Sequence, residues 1–365
     1  MRLHMFRSAQ RHADGRLSAP RLAAAVLTII AMAAAVGGCG SKGADGPESA
    51  EEPATVNVAL GAVSPEAATL FIAEVNGYFD EQNVKVNVEV NGPQATTLTV
   101  AGRADIAFTG ATSALAAGIQ KQTQYVYATI VGPGNASILV SPTSGINTLA
   151  DLSGKTVSSQ GVSGASWGEA HAFADYLKSK GIAPFEVVPL GSSQLQADAV
   201  ISGRNAGASG GPDLFGTQIS TGKLKVLVGP ESPETKELFP ADLIASGFWG
   251  SADQIKKNSE GITRFLAALL KANQYLETHP LDEIVNVMLK APQYQGYTFE
   301  AVKTALGFEM DFIHETGGQI SPEAWEHSLA AYQKWSLGID LDHPAVQYES
   351  VVNNELLAAA KGRMK

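Results

Sequence analysis

The segment VAGRADIAFTGA (residues 100–111) decides the fold, because ISGRNAGASGGP (residues 201–212) repeats its pattern. Both segments run from small or apolar residues through a Gly-Arg pair to a short apolar stretch and then to glycine. The glycine of each pair is suited to end a helix, and the residues after it are suited to a strand. The spacing therefore predicts that the two segments occupy equivalent places in two similar lobes.

Predicted strands and helices alternate on both sides of this repeat. In each half, three strands are separated by segments with helical periodicity. The strands are TVNVAL (55–60), VKVNVEV (84–90), ADIAF (104–108), KTVSSQ (155–160), FEVVPL (185–190) and NAGAS (205–209). This alternation predicts the α/β class, with parallel sheets joined by crossover helices. From about Phe248 the periodicity becomes helical and predicts a long C-terminal tail.

The first 38 residues have the features of a lipoprotein signal peptide. A leader with five arginines precedes a fifteen-residue stretch, 22–36, that is apolar apart from Thr28. That length is short for a membrane span, which needs about 20 residues, and is typical of a secretory signal. The apolar stretch ends in Val-Gly-Gly-Cys, which resembles a bacterial lipobox, and Cys39 is the only cysteine. We therefore predict lipid attachment at Cys39, a flexible tether over 39–54 and an extracytoplasmic, membrane-anchored protein.

Composition excludes several classes of function. The chain has 365 residues, 45% of them hydrophobic, which suffices for two lobes, and its formal net charge is −10. An acidic chain without clustered Lys and Arg is not expected to bind nucleic acid. No His, Cys, Asp or Glu residues show metal-ligand spacing, and His314 lacks a second histidine four residues later. We therefore predict no metal and no cofactor.

Four segments, which follow one another in the same order as in a known family, resemble that family. They are NGYFDEQNVKVNVEV (76–90), GRADIAFTGATSALAA (102–117), LADLSGKTVSSQGVSGASWGEA (149–170) and ISPEAWEHSLAAYQKWSLGI (320–339). The family comprises solute-binding proteins of ATP-driven importers for nitrate, taurine, alkanesulfonates and thiamine-precursor pyrimidines. The resemblance implies a two-lobed venus flytrap of the periplasmic binding protein type II kind. ASILVSP (136–142) and ADLIASGF (241–248) would be its two crossover strands, and the helical tail would pack on lobe 1.

The resemblance also implies the division of the chain and its function. Residues 1–38 would be the signal peptide, 39–54 the tether, 55–139 the first part of lobe 1, 140–240 lobe 2, and 241–365 the return to lobe 1 with the helical tail. The protein would be a monomeric, non-enzymatic binding component that passes its solute to an ABC permease with a cytoplasmic ATPase. The solute would be small and polar or anionic: a sulfonate, a nitrate-like anion or a pyrimidine-like compound.

Four loops are candidates for the solute site, because open α/β sheets bind ligands outside the carboxyl ends of their strands. Three of the loops lead into helix N-termini, whose free N–H groups attract anions, and none carries Lys or Arg. The loops are 61–66, 109–113, 160–168 and 209–213. The candidate ligand-binding residues are Ser64, Glu66, Thr109, Gly110, Ala111, Thr112, Ser163, Gly164, Ala165, Ser166, Trp167, Gly210, Gly211 and Asp213.

Alternatives remain open at this point. Trp167 would either stack on the solute or cover the hinge, and Glu66 and Asp213 would either contact the solute or favour a helix N-terminus. Residues 164–168 fit the G-x-S-x-G pattern at a strand-to-helix turn, so a serine hydrolase using Ser166 is one alternative function. A lipid-anchored sensory or adhesion module is another.

Overall fold

The computed structural model describes residues 52–133, 136–162, 165–313, 317–335 and 339–364. The predicted signal peptide with Cys39, most of the predicted tether, and Ser163 and Gly164 lie outside these residues. The segment Glu51–Lys365 forms one compact unit. In the described ranges, no helix is both long enough and apolar enough to cross a membrane.

The described strands form two five-stranded sheets, ordered β2-β1-β3-β10-β4 and β7-β6-β8-β5-β9. The strands are β1 (Ala54–Leu60), β2 (Val84–Val90), β3 (Ile106–Gly110), β4 (Thr123–Val131), β5 (Ile138–Val140), β6 (Thr156–Ser159), β7 (Glu186–Pro189), β8 (Gly207–Ser209), β9 (Lys225–Val228) and β10 (Ile244–Ser251). The part of the molecule built on the first sheet is called lobe 1, and the part built on the second sheet is called lobe 2.

Each sheet is mixed, which corrects the expectation of purely parallel sheets. Strands β1, β2 and β3 are parallel, but β10 runs antiparallel to β3 and β4. Likewise β6, β7 and β8 are parallel, and β5 runs antiparallel to β8 and β9. The reason is the route of the chain, since β5 and β10 are the first strands after each crossing between lobes. A strand that enters from the facing lobe starts where its neighbours end.

The two Gly-Arg segments occupy equivalent places, as predicted. Gly102 and Gly203 end helices with positive φ angles of 72° and 74°. The N–H groups of Arg103 and Arg204 then donate to carbonyls five residues back, at 2.9 and 2.8 Å. The strands that follow are β3 and β8, which each stand third in their sheet and lie beside its antiparallel strand. The sequence repeat is therefore a repeat of the fold.

Helices cover both sheets and form most of the C-terminal third. They are α1 (Ala68–Val75), α2 (Tyr78–Glu81), α3 (Gln94–Val100), α4 (Ala111–Gln120), α5 (Ala165–Ser179), α6 (Ser193–Ile201), α7 (Gly216–Ser220), α8 (Pro233–Leu238), α9 (Ala252–Lys257), α10 (Ser259–Thr278), α11 (Leu281–Met288), α12 (Phe299–Ile313), α13 (Pro322–Gln333), α14 (Tyr348–Val351) and α15 (Asn354–Arg363). Single 3-10 turns occur at Pro65–Ala67, Leu149–Leu152, Pro212–Phe215, Pro292–Tyr294 and Pro344–Val346.

The helical tail packs on lobe 1, as the resemblance implies. Helix α10 places Phe265, Leu266 and Leu269 in the lobe 1 core, where each is fully buried. Helix α15 lies against α10, and α11 packs against α1 and α12. Helix α12 reaches further, because it contacts β4 and the 3-10 turn Pro65–Ala67 of lobe 1 as well as α7 of lobe 2. Helix α12 therefore lies between the lobes.

Candidate functional site

The four predicted loops meet one another between the two lobes. A Cβ atom at Gly61 would lie 3.3 Å from the Thr109 side chain, which joins the first loop to the second. A Cβ atom at Gly110 would lie 3.7 Å from the Ala165 Cβ, which joins the second loop to the third. The third and fourth loops meet where a Cβ atom at Gly210 would lie 3.8 Å from the Ser166 Cβ. The loops thus form a ring around the space between the lobes.

Ser64 and Asp213 close this ring. Ser64 Oγ donates a hydrogen bond of 2.6 Å to Asp213 Oδ2, and both residues are buried. Ser64 also caps the 3-10 turn Pro65–Ala67, since its Oγ accepts a hydrogen bond from the Glu66 N–H at 3.1 Å. The same hydroxyl therefore caps this turn and links lobe 1 to lobe 2.

The second loop is held by the return strand β10. The indole N–H of Trp249 donates to Thr109 Oγ1 at 2.8 Å, so this hydroxyl has a structural partner. Gly110 is the N-cap of α4, which begins at Ala111. The Thr112 side chain is buried, and its Oγ1 has no hydrogen-bond partner among the described residues. The Thr112 hydroxyl is therefore a buried polar group of this loop that has no partner in the described part of the chain.

The third loop leads into α5, which begins at Ala165. Ser166 is buried, and its Oγ accepts a hydrogen bond from the Gln160 N–H at 3.2 Å, which closes the turn. Trp167 is partly exposed and packs on His171, with ring centroids 4.4 Å apart. His171 Nδ1 in turn donates to the Trp167 carbonyl at 2.9 Å. Ser163 and Gly164 lie outside the described residues, so their role stays a prediction.

The fourth loop approaches α12. Gly210 has a φ angle of 146°, and its N–H donates to the Ser137 carbonyl at 3.1 Å. Gly211 precedes the 3-10 turn Pro212–Phe215, which carries Asp213. At Gly216 a Cβ atom would collide with the Ala301 carbonyl of α12. The absence of a side chain at Gly216 therefore lets lobe 2 and α12 come close enough to enclose the site.

Four buried carboxylates, which we call the carboxylate cluster, gather at this point. They are Glu66 of lobe 1, Glu169 of α5, Asp213 of the fourth loop and Glu309 of α12, with exposed fractions of 9%, 2%, 9% and 0%. Carboxylate oxygens of Glu66, Asp213 and Glu309 all lie within 4.8 Å of one another. Glu66 and Asp213 are among the residues predicted from sequence, whereas Glu169 and Glu309 are not.

Burial, together with repulsion between neighbouring charges, makes Glu169, Asp213 and Glu309 hard to ionise. Burial raises the pKa of Asp213 to about 6, although the hydrogen bond from Ser64 lowers it. Burial raises the pKa of Glu169 well above its usual range, and the nearby charges of Glu66 and Asp213 raise it further. The pKa of Glu309 is likewise raised well above its usual range, first by burial and then by Asp213, Glu66 and Glu169. A positive charge placed among these groups would relieve both effects.

A cavity of about 260 Å³ adjoins the carboxylate cluster and shares Asp213 with it. Its wall includes polar groups of lobe 2, among them Gln160 and Ser193. Tyr294 and Tyr297 contribute aromatic rings, and burial raises the pKa of both hydroxyls, as does the charge of Asp213. Apolar residues of the wall come from the first loop, β2, the turn Pro212–Phe215 and α12: Ala62, Val63, Pro65, Val90, Leu214, Ala301, Val302 and Ala305.

One signal in the sequence could have revealed the two missed glutamates. Glu309 follows Val302, Ala305 and Leu306 at helical spacing, on the stripe that α12 buries. Glu169 lies in the same way among the residues that α5 buries. A glutamate on the apolar stripe of a helix is seldom found fully buried unless it has a partner. Such a position therefore indicates a site.

The family model described as NMT1/THI5 like matches residues 64–283, more than half of the chain. The chain belongs to the NMT1/THI5-like family. The matched region begins at Ser64 and includes Glu66, Glu169 and Asp213 of the carboxylate cluster. Glu309 lies beyond it, in the helical tail. A search of curated proteins gives no match to this NMT1/THI5-like chain.

Solved structures show the same fold. The alkanesulfonate-binding protein SsuA from Xanthomonas axonopodis pv. citri, bound to MOPS, superposes with a TM-score of 0.61 at 19% identity, covering 81% of this chain and 99% of its own. The periplasmic nitrate-binding protein NrtA from Synechocystis PCC 6803 superposes with a TM-score of 0.63 at 14% identity. The match covers 86% of this chain and 90% of NrtA. The desulfurization enzyme DszB superposes with a TM-score of 0.59 at 16% identity, and the match covers 86% of this chain and 100% of DszB. The two-lobed α/β binding-protein fold is thus confirmed for this NMT1/THI5-like chain.

Proposed function

We propose that the protein is the extracytoplasmic solute-binding component of an ABC importer and holds one small solute between its lobes. The single observation that carries this proposal is the hydrogen bond between Ser64 and Asp213, which joins the lobes beside a cavity of about 260 Å³. Ligand sites commonly lie between domains and combine apolar walls with a few polar groups. Family membership and the fold shared with SsuA and NrtA support the same function.

The solute would bind within the ring of four loops and reach the cavity. Thr112 Oγ1 and Asp213 Oδ1 are buried polar atoms without partners in the described part of the chain. Buried polar groups are normally hydrogen-bonded, so a solute with donors and acceptors would complete them. Sulfonates, nitrate-like anions and pyrimidine-like compounds remain the predicted solutes. Of these, a pyrimidine-like compound best suits a site with tyrosines and carboxylates.

We propose further that Cys39 carries the lipid and that residues 40–54 tether the binding unit to the membrane. This part of the proposal rests on sequence, because residues 1–51 lie outside the described ones. A tether of this composition lets a binding protein stay near its permease while its lobes open and close. We expect a monomer, with the ABC permease as its protein partner.

A thermal-shift panel tests the proposed function. The purified protein is heated with sulfonates, nitrate, pyrimidines and aromatic acids, one at a time. A solute that binds only the folded state raises the melting temperature in proportion to the logarithm of its concentration above Kd. Binding by at least one solute, lost when the cavity is filled by Ala301→Trp, supports the proposal. Binding that survives Ala301→Trp contradicts a site between the lobes.

The serine hydrolase alternative is not favoured by the geometry of Ser166. Its Oγ accepts a hydrogen bond from a backbone N–H, and His171 of the same helix is bonded to a backbone carbonyl. DszB shares the fold, so the alternative still calls for a test. We expect native protein and Ser166→Ala to hydrolyse p-nitrophenyl acetate equally slowly. A rate that falls at least 100-fold in Ser166→Ala would favour the enzyme.

A further inference from the structure

We propose that the carboxylate cluster binds a positively charged group, namely the ammonium head of an organic solute whose body lies in the adjoining cavity. This inference rests on the proposed solute-binding function and adds the charge of the solute. It concerns Glu66, Asp213 and Glu309 as direct ligands, with Glu169 as the neighbouring negative charge.

The geometry of the oxygens fits a compact cation. Oxygens of Glu66, Asp213 and Glu309 lie within 4.8 Å of one another. An ammonium nitrogen donates three charge-assisted hydrogen bonds of about 2.8 Å in tetrahedral directions, which places its acceptors about 4.6 Å apart. One nitrogen at the centre of the three carboxylates can therefore reach all of them.

Unpartnered polar atoms around this centre supply a second observation. Neither carboxylate oxygen of Glu309 has a hydrogen-bond partner among the described residues, although this side chain is fully buried. The same holds for Asp213 Oδ1 and for the hydroxyl of Tyr294, which is 2% exposed and shares the cavity wall with Asp213. An ionised carboxylate only accepts hydrogen bonds, so a cationic donor would pair with these oxygens and stabilise their charged form.

The lack of basic partners for the buried carboxyl groups also favours a cationic ligand. Within the described ranges, none of Glu169, Asp213 and Glu309 forms a salt bridge with a lysine or arginine. Buried charges are normally paired, and an unpaired group loses its charge or gains a ligand. When ionised, Glu169, Asp213 and Glu309 would repel an anion at this position. A cation is the ligand that stabilises them.

The cavity indicates an organic cation rather than a metal ion alone. Its wall combines the Tyr294 and Tyr297 rings with aliphatic groups of α12, so it suits a carbon skeleton. Aromatic faces also attract cations. A bare metal ion would fill the carboxylate cluster but would leave this apolar space empty. The ligand would therefore carry a short aliphatic or aromatic body on its ammonium group.

The proposed ligand would bind both lobes at once. Glu66 belongs to lobe 1, Asp213 to lobe 2, and Glu309 to the helix between them. A cation held by all three stabilises the closed form over an open one, because only closure brings the carboxylates together. Solute charge and lobe closure are therefore coupled.

The test uses matched probes on the full-length protein at pH 7.5. Butylamine, benzylamine and tyramine are compared with butanol, benzyl alcohol and butanesulfonate, and separately with the chlorides of Mg²⁺, Ca²⁺, Mn²⁺ and Zn²⁺. Thermal unfolding and calorimetry are measured for the native protein, Glu309→Gln and Asp213→Asn. Glu74→Gln is the control, because Glu74 is a partly buried glutamate outside the carboxylate cluster.

We expect at least one amine to bind the native protein, and its neutral and sulfonate counterparts not to bind. Glu309→Gln and Asp213→Asn should each weaken amine binding about 10- to 150-fold, the loss of one charge-assisted hydrogen bond, while Glu74→Gln should not change it. The two cluster variants replace charge with an amide of the same shape. A folding defect would appear as a lower melting temperature without probe.

Three results would overturn the inference, and each is distinct from failure of the proposed function. Binding of a divalent metal without binding of any amine would replace the ammonium by a metal ion. Binding of the sulfonate with unchanged affinity in Glu309→Gln would remove the cation site but leave solute binding intact. If no amine binds but a solute from the wider panel does, the cation site is likewise removed and solute binding stays intact. Only failure of every solute would count against the proposed function as well.

Discussion

Ser64 and Asp213 are 149 positions apart in sequence, yet Ser64 Oγ donates a hydrogen bond of 2.6 Å to Asp213 Oδ2. Ser64 follows β1 of lobe 1, and Asp213 follows β8 of lobe 2. The bond therefore exists only when the carboxyl ends of the two sheets face each other at close range. It also acts on the site, because it lowers the pKa of Asp213 against the effect of burial.

Ser64→Ala is expected to weaken solute binding. The closed form loses a hydrogen bond to a charged group, which contributes about 1.5–3 kcal/mol, so affinity should fall about 10- to 150-fold. Calorimetry with the solute found in the panel measures the change. Ser192→Ala is a matched control, since Ser192 also caps a helix through its hydroxyl but lies on the surface of lobe 2. Equal affinities in both variants would contradict the role of Ser64 in closure.

The solute-free protein is expected to lose stability as the pH rises. A folded carboxyl group with a raised pKa stabilises the protein while protonated. For Asp213 this stabilisation is complete below about pH 3.8, the ordinary pKa of the group, and is lost as the pH rises through its folded-state pKa of about 6. The shift corresponds to about 3 kcal/mol for Asp213 alone, and Glu169 and Glu309 add to it in the same direction.

Urea unfolding between pH 4.5 and 8 measures this dependence. We expect the free energy of unfolding to decrease over the range, and Glu309→Gln to decrease less because the amide does not ionise. At pH 8 this variant should be more stable than the native protein by about 1 kcal/mol or more, since it lacks one buried charge. A free energy that rises from pH 5 to pH 8 would contradict the buried, unpaired state of these carboxylates.

Gly168→Ala is expected to disturb the contact between α5 and the tail. A Cβ atom at Gly168 would collide with the ring of Trp335, which is buried and packs against Phe239 of lobe 2. Overpacking of this kind costs about 1–3 kcal/mol, which chemical denaturation can measure. Gly161→Ala is the control, because a Cβ atom there would meet nothing within 4 Å. Equal stabilities would show that Trp335 can move away freely.

Cys39→Ser tests the predicted anchor. Without the thiol, neither lipid attachment nor cleavage before residue 39 takes place, so the precursor should accumulate with its signal peptide. Mass spectrometry of the native protein should show a diacylglyceryl group at Cys39. Native protein that carries no lipid and leaves the membrane fraction with mild salt would contradict the prediction.

Much of the fold could be predicted because its determinants are local. Gly102 and Gly203 end helices through a backbone conformation that glycine adopts freely. Their equivalent positions in the sequence are enough to predict that the lobe is repeated. Ser321 caps α13 through a 3.1 Å hydrogen bond from the Ala324 N–H, as its position before Pro322 indicates. The direction of β5 and β10 could not be predicted in the same way, because it depends on the route between lobes.

The site could be predicted only in part, because half of the carboxylate cluster comes from helix interiors. Glu66 and Asp213 belong to loops at strand ends, where ligand sites are expected. Glu169 and Glu309 lie four or more residues inside α5 and α12, where a glutamate is usually solvated. Their meeting depends on the close approach of lobe 2 to α12 at Gly216, which no local pattern shows.

Small-angle X-ray scattering with and without solute tests most directly that the protein closes its lobes around a ligand. The profile with saturating solute should match the structure, in which Ser64 and Asp213 are bonded, and the solute-free profile should have a larger radius of gyration. Ser64→Ala should shift toward the larger value at the same solute concentration. A solute that binds tightly but leaves the profile of the native protein unchanged would contradict the account.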